Sequence, residues 1–298
     1  MVQCSEALQT SASGADDVGA LADALSKCGR ITAISGAGIS TDSGIPDYRD
    51  ADGNWKRRAP VMFRDFVDKP AVRRRYWARS MSGWPSFEAA RPSVAHRALA
   101  ALEAAGRLSA IVTQNVDDLH RRAGNRRLVD LHGRLSRVRC LDCRRRSART
   151  LLQRDLLRLN PDFESRTARL APDGDADLED TDYAAFNVPP CPRCGGMLKP
   201  DVTFYGETIP PERTRRAEAA VAQTDAVLVI GSSLMVFSAY RLVRNAARAG
   251  IPVFGLNLGR TRADALFACK IAAPAGEAVP ALADALCERS NPTVKRSR

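Results

Sequence analysis

Paired cysteines are the clearest chemical signal in the sequence. Four of its eight cysteines form two Cys-x-x-Cys pairs, Cys140 with Cys143 and Cys191 with Cys194. This spacing lets both thiolates of a pair reach one tetrahedral zinc ion, at about 2.3 Å. Four thiolates leave no open position for catalysis, so the pattern predicts one structural zinc. A redox dithiol or plain buried cysteines are the other interpretations.

Histidine is the side chain best matched to proton transfer near neutral pH, and the chain has only three. His96 and His120 fall in helical contexts, where a surface or packing role is usual. His132 follows a short predicted strand and precedes Gly133, which leaves its ring free to face a cleft. We therefore expect His132 to act as a general base.

A glycine-rich turn, Gly36-Ala37-Gly38-Ile39-Ser40, follows the strand predicted at residues 31–34. Such a turn lets the backbone approach a pyrophosphate. The third glycine of the motif G-x-G-x-x-G is absent because Thr41 stands at that position, which argues against a common Rossmann dehydrogenase. On these glycines alone, a phosphate site and a tight turn are equally good interpretations.

Short apolar strands alternate with helical patterns along the chain. Strands are predicted at 31–34, 110–113, 128–131, 226–230, 252–256 and 270–273, and helices at 13–29, 211–223, 238–249 and 277–288, with several more between 60 and 105. This alternation predicts an α/β fold with a doubly wound, mostly parallel sheet. Ligands of such sheets bind beyond the carboxyl ends of the strands.

Polar clusters follow five of these strands. They comprise residues 35–40, 114–117, 132, 231–233 and 257. Since the carboxyl ends of parallel strands share one edge of a sheet, we expect the clusters to form one ligand site. Taken singly, Asn115 and Asp117 are better explained as a helix cap after a strand.

Longer strings around these clusters resemble the sirtuin family. The string from Gly36 to Arg49 matches its signature loop, and four motifs follow in family order: Thr113-Gln114-Asn115-Val116-Asp117, Leu131-His132-Gly133, Gly231-Ser232-Ser233-Leu234 and Asn257-Leu258-Gly259. The resemblance runs from about residue 18 to about residue 286. It implies a Rossmann-like fold and an NAD-dependent protein-lysine deacylase that yields nicotinamide, O-acyl-ADP-ribose and free lysine.

The resemblance also implies roles for individual residues. His132 would take a proton from the nicotinamide ribose, Asn115 would order a water or the ribose, and Asp117 would contact the nicotinamide side. The implied NAD contacts are Gly36, Ala37, Gly38, Ser40, Asp47, Tyr48, Arg49, Gln114, Asn115, Val116, Asp117, Gly231, Ser232, Ser233, Asn257, Leu258, Gly259 and Ala275. Residues 199–207 resemble the segment that pairs with the substrate backbone, with contacts at Val202, Phe204 and Gly206. An ordinary sheet strand explains that segment equally well.

The acyl group is defined less closely. Tyr76 and Arg79 are three residues apart and share a helix face. In the desuccinylating sirtuins, a similar Tyr-x-x-Arg binds an acidic acyl group. The same string, with residues 159–161, 171–174 and 194–196, also resembles the class II sirtuins, the group of the mitochondrial lipoamidase-type enzyme, whose acyl preference is broad. The sequence therefore leaves the acyl chain open.

The cysteine pairs and an acidic stretch between them set one segment apart. We predict a disordered arm at 1–17, an NAD-binding domain at 18–135 and 200–290 with a helical loop region at about 50–105, an inserted zinc-binding module at 136–199 and a basic tail at 291–298. The site should lie between the domain and the module.

Composition narrows the class of protein. A chain of 298 residues with 45% hydrophobic and 27% charged residues is typical of a globular protein, and no stretch approaches the ~18 apolar residues of a membrane helix. The amino terminus lacks an apolar signal core, so we expect a cytoplasmic protein.

Two alternatives stay open at this point. One is a mono-ADP-ribosyltransferase that uses the same NAD site. The other, suggested by the net charge of +11, is a zinc-ribbon protein that binds nucleic acid. The five strand-end clusters and the lack of an aromatic ladder beside the basic tracts disfavour nucleic acid, and favour acyl-lysine proteins as partners.

Overall fold

The computed structural model describes residues 14–56, 60–163 and 182–290. The predicted tail, the string at 171–174 and most of the predicted arm lie outside these residues. Helix α1 (Gly14–Ser26) includes the last four residues assigned to the arm. The boundary was therefore placed too late, because the helix that buries Val18 and Leu21 begins one turn before Val18.

Two sheets organise the described chain. The strands are β1 (Ile31–Ser35), β2 (Leu108–Thr113), β3 (Leu128–Asp130), β4 (Gly133–Cys140), β5 (Arg146–Ala148), β6 (Leu198–Val202), β7 (Ala226–Ile230), β8 (Val253–Leu256) and β9 (Cys269–Ile271). A six-stranded sheet has the order β3-β2-β1-β7-β8-β9 with every neighbouring pair parallel, and a three-stranded antiparallel sheet has the order β5-β4-β6. The predicted α/β class with a parallel sheet is confirmed.

Helices cover both faces of the parallel sheet. The remaining helices are α2 (Phe63–Asp68), α3 (Pro70–Ala89), α4 (Val94–Ala104), α5 (Leu119–Ala123), α6 (Arg149–Leu159), α7 (Pro211–Ala222), α8 (Phe237–Arg248) and α9 (Ala275–Ser290). Helices α1, α4 and α9 bury their apolar faces on one side of the sheet, and α7 and α8 on the other. All residues of β1 and β7 are buried, as expected of parallel strands covered on both faces.

The order of strands reverses at β1. From β1 the chain continues to β2 on one side, whereas β7 lies on the other. The loops that leave β1 and β7 diverge at this switch point and open a crevice at the carboxyl ends of the strands. The loop after β1 forms two short 3₁₀ helices, Ala37–Ile39 and Thr41–Ser43, within the long loop predicted there.

The small sheet has its own apolar core. Phe66 and Trp77 from α2 and α3 pack against Val138, Leu152 and Leu198 of the sheet and α6. Of the helical region assigned to the NAD-binding domain, only α4 therefore packs on the large sheet. The predicted assignment of α2 and α3 to the NAD-binding domain differs from the structure because α3 buries its apolar face against the small sheet. Periodicity predicts that a helix has an apolar face, but it does not predict which sheet that face will meet. Strands β4 and β6 also extend past the predicted module limits of 136 and 199.

No helix within the described ranges combines the length and the apolar character needed to cross a membrane.

Candidate active site and zinc centre

A cavity of about 620 Å³ lies at the carboxyl ends of the parallel strands, between the two sheets. All five strand-end clusters contribute to its lining. Its walls include the predicted residues Gly36, Ala37, Gly38, Ser40, Asp47, Tyr48, Arg49, Tyr76, Gln114, Asn115, Val116, Asp117, His132, Val202, Phe204, Gly206, Gly231, Ser232, Ser233, Asn257, Leu258, Gly259 and Ala275. The structure thus brings together residues that are spread over most of the chain.

Glycines let the loops after β1 and β7 touch backbone to backbone. The Gly38 N–H donates a hydrogen bond of 2.9 Å to the Gly231 carbonyl. A Cβ atom on Gly38 would lie 2.9 Å from the Gly231 Cα. Gly231 itself has a φ of 56°, which favours glycine. Thr41 needs no such freedom, because the chain there begins a second 3₁₀ helix.

The loop after β2 is tied to the loop after β1 by side-chain hydrogen bonds. The Asn115 Nδ2 donates to the Gly36 carbonyl and to Ser40 Oγ, both at 3.0 Å. Ser40 Oγ in turn donates to Asp117 Oδ2 at 2.7 Å. Asn115, Ser40 and Asp117 are therefore held in fixed orientations along one wall of the cavity.

Asp117 combines two roles that the sequence analysis treated as alternatives. Its Oδ1 accepts a hydrogen bond of 2.9 Å from the Leu119 N–H, so it satisfies a backbone donor in the first turn of α5, although Asp118 occupies the N-cap position itself. Its other oxygen is bound by Ser40 in the cavity wall. Burial raises the pKa of the Asp117 carboxyl above its ordinary value.

His132 lies where the chain crosses from β3 to β4. Its Nδ1 is 3.1 Å from the Gln114 carbonyl oxygen and its Nε2 is 2.9 Å from Ser238 Oγ. A carbonyl can only accept, so Nδ1 carries the hydrogen and Nε2 keeps its lone pair. Burial, with a smaller contribution from the charge of Arg213, lowers the pKa of His132 to about 4. The ring is neutral at pH 7 and can accept a proton at Nε2.

The other two histidines form a buried pair away from the cavity. The rings of His96 and His120 are 4.7 Å apart, and His120 Nε2 is 2.8 Å from Ser35 Oγ. Burial lowers the pKa of His96 to about 2 and that of His120 to about 4. Neither residue lines the cavity, so His132 is the one histidine of the three that does.

Ser238 is a site residue that the sequence analysis missed. It lies in the first turn of α8, five residues after Ser233, and its hydroxyl faces His132 Nε2. The available signal was weak: a polar residue in the first turn of a helix that follows a strand-end cluster. Only the folded chain brings that turn to His132.

A buried ion pair supports the opposite wall. Lys199 Nζ lies 2.9 Å from Glu207 Oε2, while the Phe204 N–H donates to the same carboxylate oxygen at 2.9 Å. Burial lowers the pKa of Lys199, and Glu207 opposes that shift. The pair shapes the segment from Val202 to Gly206 that lines the cavity. Both charged residues belong to the segment 199–207, and neither was assigned a role from the sequence.

Tyr76 and Arg79 are placed differently. Tyr76 is buried, lines the cavity and contacts Phe66 and Phe204 through its ring. Arg79 is not among the residues that line the cavity within the described chain. The two share a helix face but are separated by about 4.5 Å along α3, and only Tyr76 contributes to the lining.

The four predicted zinc ligands come together at the end of the small sheet. The sulfur atoms of Cys140, Cys143, Cys191 and Cys194 all lie within 4.8 Å of one another. Two of the Sγ–Sγ distances are 3.5 Å and 3.8 Å. A tetrahedral site with Zn–S bonds of about 2.3 Å needs sulfur atoms about 3.8 Å apart, so the geometry fits one zinc ion.

Comparison with known proteins agrees with this geometry. Residues 36–238 match the Sir2 family. An NAD-dependent protein deacetylase of Bordetella bronchiseptica is 54% identical over 261 residues, 88% of this chain and 95% of that protein. One of Xanthomonas campestris pv. campestris is 56% identical over 242 residues, 81% of this chain and 83% of that protein.

Solved Sir2 structures are also similar to this chain. One from a study of the mechanism and regulation of Sir2 enzymes has a TM-score of 0.69 at 32% identity, and covers 91% of this chain and 98% of its own. A structure of Sir2 with p53 peptide and NAD⁺ has a TM-score of 0.70 at 26% identity, and covers 92% and 98%. With its fold, its cavity and its sequence in agreement, the chain belongs to the Sir2, or sirtuin, family.

Proposed function

We propose that this protein is an NAD-dependent protein-lysine deacylase with His132 as its general base. One observation carries the proposal: the His132 ring is neutral, oriented by the Gln114 carbonyl, and faces a cavity lined by all five strand-end clusters. The NAD-dependent protein deacetylases that share about half of their residues with this chain support it.

The residues around His132 have distinct roles in proton transfer and in orienting the ribose. The lone pair at His132 Nε2 takes up a proton, and the Ser238 hydroxyl now bound to it can yield that position to a ribose hydroxyl. Asn115 and Ser40, already hydrogen-bonded to each other, orient the ribose or a water beside the base. When bound, NAD supplies the ribose carbon that nicotinamide leaves, and the products are nicotinamide, O-acyl-ADP-ribose and free lysine.

The glycine-lined loops fit a dinucleotide. Gly36 and Gly38 present backbone instead of side chains to the crevice at the switch point, where parallel sheets bind nucleotides. A Cβ atom on Gly36 would lie 2.7 Å from the Ser232 Cβ, so the close approach of the two loops depends on the glycine. We assign the NAD pyrophosphate to this part of the cavity.

Membership of the class II group is part of the same proposal, supported by Tyr76-Trp77-Ala78-Arg79 and Cys194-Gly195-Gly196. The acyl end of the cavity is aromatic: Tyr76 and Phe204 pack with ring centroids 5.2 Å apart. This environment favours an uncharged acyl chain over a succinyl group.

We expect turnover of acetyl- and lipoyl-lysine peptides to exceed that of succinyl-lysine, with a ratio that Arg79→Ala leaves unchanged. A selective loss of succinyl turnover in Arg79→Ala would restore the carboxylate role.

The test of the activity is nicotinamide release from NAD in the presence of acyl-lysine peptides, for wild type beside His132→Ala. Release by wild type that depends on the acyl group, and its loss in the variant, are expected. ADP-ribose label retained on a target protein would instead indicate an ADP-ribosyltransferase. Absence of acyl-dependent release from wild type would refute the deacylase.

A further inference from the structure

Two arginines and two aromatic residues form a cluster at the rim of the cavity, which we call the arginine–aromatic rim: Phe237, Tyr240, Arg244 and Arg262. Phe237 is 49% exposed although it is a large apolar side chain, and it also lines the cavity. It precedes Ser238, whose hydroxyl is 2.9 Å from His132 Nε2. The rim therefore lies directly beside the proposed base.

The guanidinium groups are held against the rings. Arg262 Cζ lies 5.5 Å from the Phe237 centroid and 4.7 Å from the Tyr240 centroid. Arg244 Cζ lies 5.5 Å from the Phe237 centroid on the same rim. A planar guanidinium stacked on a ring keeps its N–H edges available for a carboxylate. Arg262 is further positioned by a hydrogen bond of 3.3 Å from Nη1 to the Met235 carbonyl.

In the part of the chain that the structure describes, neither positive charge of the rim is neutralised by a carboxylate. Among the described residues, no carboxylate oxygen lies within ion-pair distance of Arg244 or Arg262, whereas Arg241 on the same helix pairs with Glu218 at 3.0 Å. The Arg244 Nε is buried and has no hydrogen-bond partner. Two oriented guanidinium groups that have no carboxylate partner among the described residues, beside an exposed ring, are complementary to an anion delivered from outside.

We propose that the arginine–aromatic rim is a subsite for an acidic residue that flanks the acyl-lysine in the substrate polypeptide. This inference rests on the proposed function: Phe237 lines the cavity next to Ser238, so an acyl-lysine bound at His132 would place its neighbouring residues beside the rim. An extended chain advances about 3.3 Å per residue, so a residue within about three positions of the lysine can reach the rim. Its carboxylate accepts hydrogen bonds from the guanidinium groups, and its methylene groups contact the Phe237 ring.

A nucleic acid fits the same rim less well. Binding along a phosphate backbone needs a row of positive charges several nucleotides long. The rim offers two arginines; of the other arginines of α8, Arg241 is already paired with Glu218 and Arg248 lies at the far end of the helix. A single carboxylate side chain matches two converging guanidinium groups.

The test compares acyl-lysine peptides that are identical except for Asp and Glu, or Asn and Gln, at the three positions on either side of the lysine. We expect wild type to prefer the acidic peptide about 3- to 10-fold in kcat/KM, and the preference to fall as salt rises. Arg244→Gln and Arg262→Gln should each reduce the ratio, and the double variant should bring it to about one. Arg248→Gln is the matched control, because Arg248 is exposed at the end of the same helix.

The outcomes separate this inference from the proposed function. Turnover of the neutral peptide by wild type shows that the enzyme works, so equal kcat/KM for both peptides would overturn the subsite alone. A preference that survives in the double variant, or that Arg248→Gln also removes, would place its origin elsewhere and overturn it as well. Salt-sensitive binding of a duplex oligonucleotide that the double variant loses, with no preference among peptides, would assign the rim to nucleic acid.

Discussion

The six-stranded sheet buries β1 and β7 completely between two layers of helices. The three-stranded sheet instead carries a cluster of four cysteine thiols at one end. Removal of apolar surface from water stabilises the first, at about 25 cal/mol per Å². The second has a smaller core shared with α2, α3 and α6. A metal ion can stabilise such a unit by cross-linking segments that are distant in sequence.

His132 shows why the difference between the sheets matters. Its ring is oriented by the Gln114 carbonyl after β2 of the large sheet. Its own carbonyl accepts a hydrogen bond of 2.7 Å from the Thr203 N–H, just after β6 of the small sheet. The proposed base therefore depends on both sheets, and perturbing either should impair activity by a different route.

The largest effect is expected from removing a zinc ligand. Cys143→Ser should abolish zinc binding, whose free energy in small zinc modules is about 10 kcal/mol or more, and should expose Trp77 in the core of the small sheet. Zinc content and tryptophan fluorescence measure the two effects. Cys28→Ser, a substitution two residues after α1, is the control and should keep its zinc. One zinc per chain in Cys143→Ser would contradict the four-thiolate site.

His132→Ala should lower kcat by about 10²- to 10⁴-fold, because the proton acceptor is lost, while the midpoint of thermal unfolding changes little. Steady-state kinetics and calorimetry measure the two quantities. Ser238→Ala removes only the hydroxyl that faces Nε2 and should have a much smaller effect on kcat. If Ser238→Ala cost as much as His132→Ala, the assignment of the base would need revision.

Gly38→Ala should destabilise the large sheet by about 1–3 kcal/mol and raise the KM for NAD, because its Cβ would lie 2.9 Å from the Gly231 Cα and the backbone there cannot yield easily. Denaturant unfolding and NAD kinetics measure both. Gly19→Ala in α1 is the control: no atom lies within 4 Å of its Cβ, so it should be neutral or stabilising. Equal behaviour of the two variants would argue against close contact of the loops.

The smallest effect concerns pH. Burial lowers the pKa of His132 from 6.5 to about 4. As the pH falls, His132 therefore takes up a proton in the unfolded chain at a higher pH than in the folded protein. The stability that the neutral ring contributes is complete above pH 6.5 and is lost as the pH falls toward 4. The free energy of unfolding of wild type should therefore fall more steeply than that of His132→Asn, by at most about 1.4 kcal/mol per pH unit between the two pKa values.

Urea unfolding between about pH 7 and about pH 5, with zinc kept saturating, measures that difference. His96 and His120 are present in both proteins and contribute equally to both slopes. Identical slopes for wild type and His132→Asn would mean that His132 keeps an ordinary pKa in the folded protein.

The sequence by itself determined those parts of the structure that depend on local pattern. Alternating strands and helices predicted the parallel sheet, because periodicity follows directly from burial on one or both faces. The cysteine spacing predicted the four-sulfur cluster, since two knuckles need only short turns. The polar clusters were also found, because the end of each strand is marked in the sequence and parallel strands bring those ends together.

Only the tertiary structure decided which side chains meet across these elements. Ser238 reaches His132 through the packing of α8, and Tyr76 reaches the cavity while Arg79, one turn away, does not. The arginine–aromatic rim likewise joins Phe237 to Arg262 from a separate loop. Such contacts depend on how the helices are placed on the sheets. That placement is determined by how whole apolar faces pack together, and the periodicity of the sequence does not predict it.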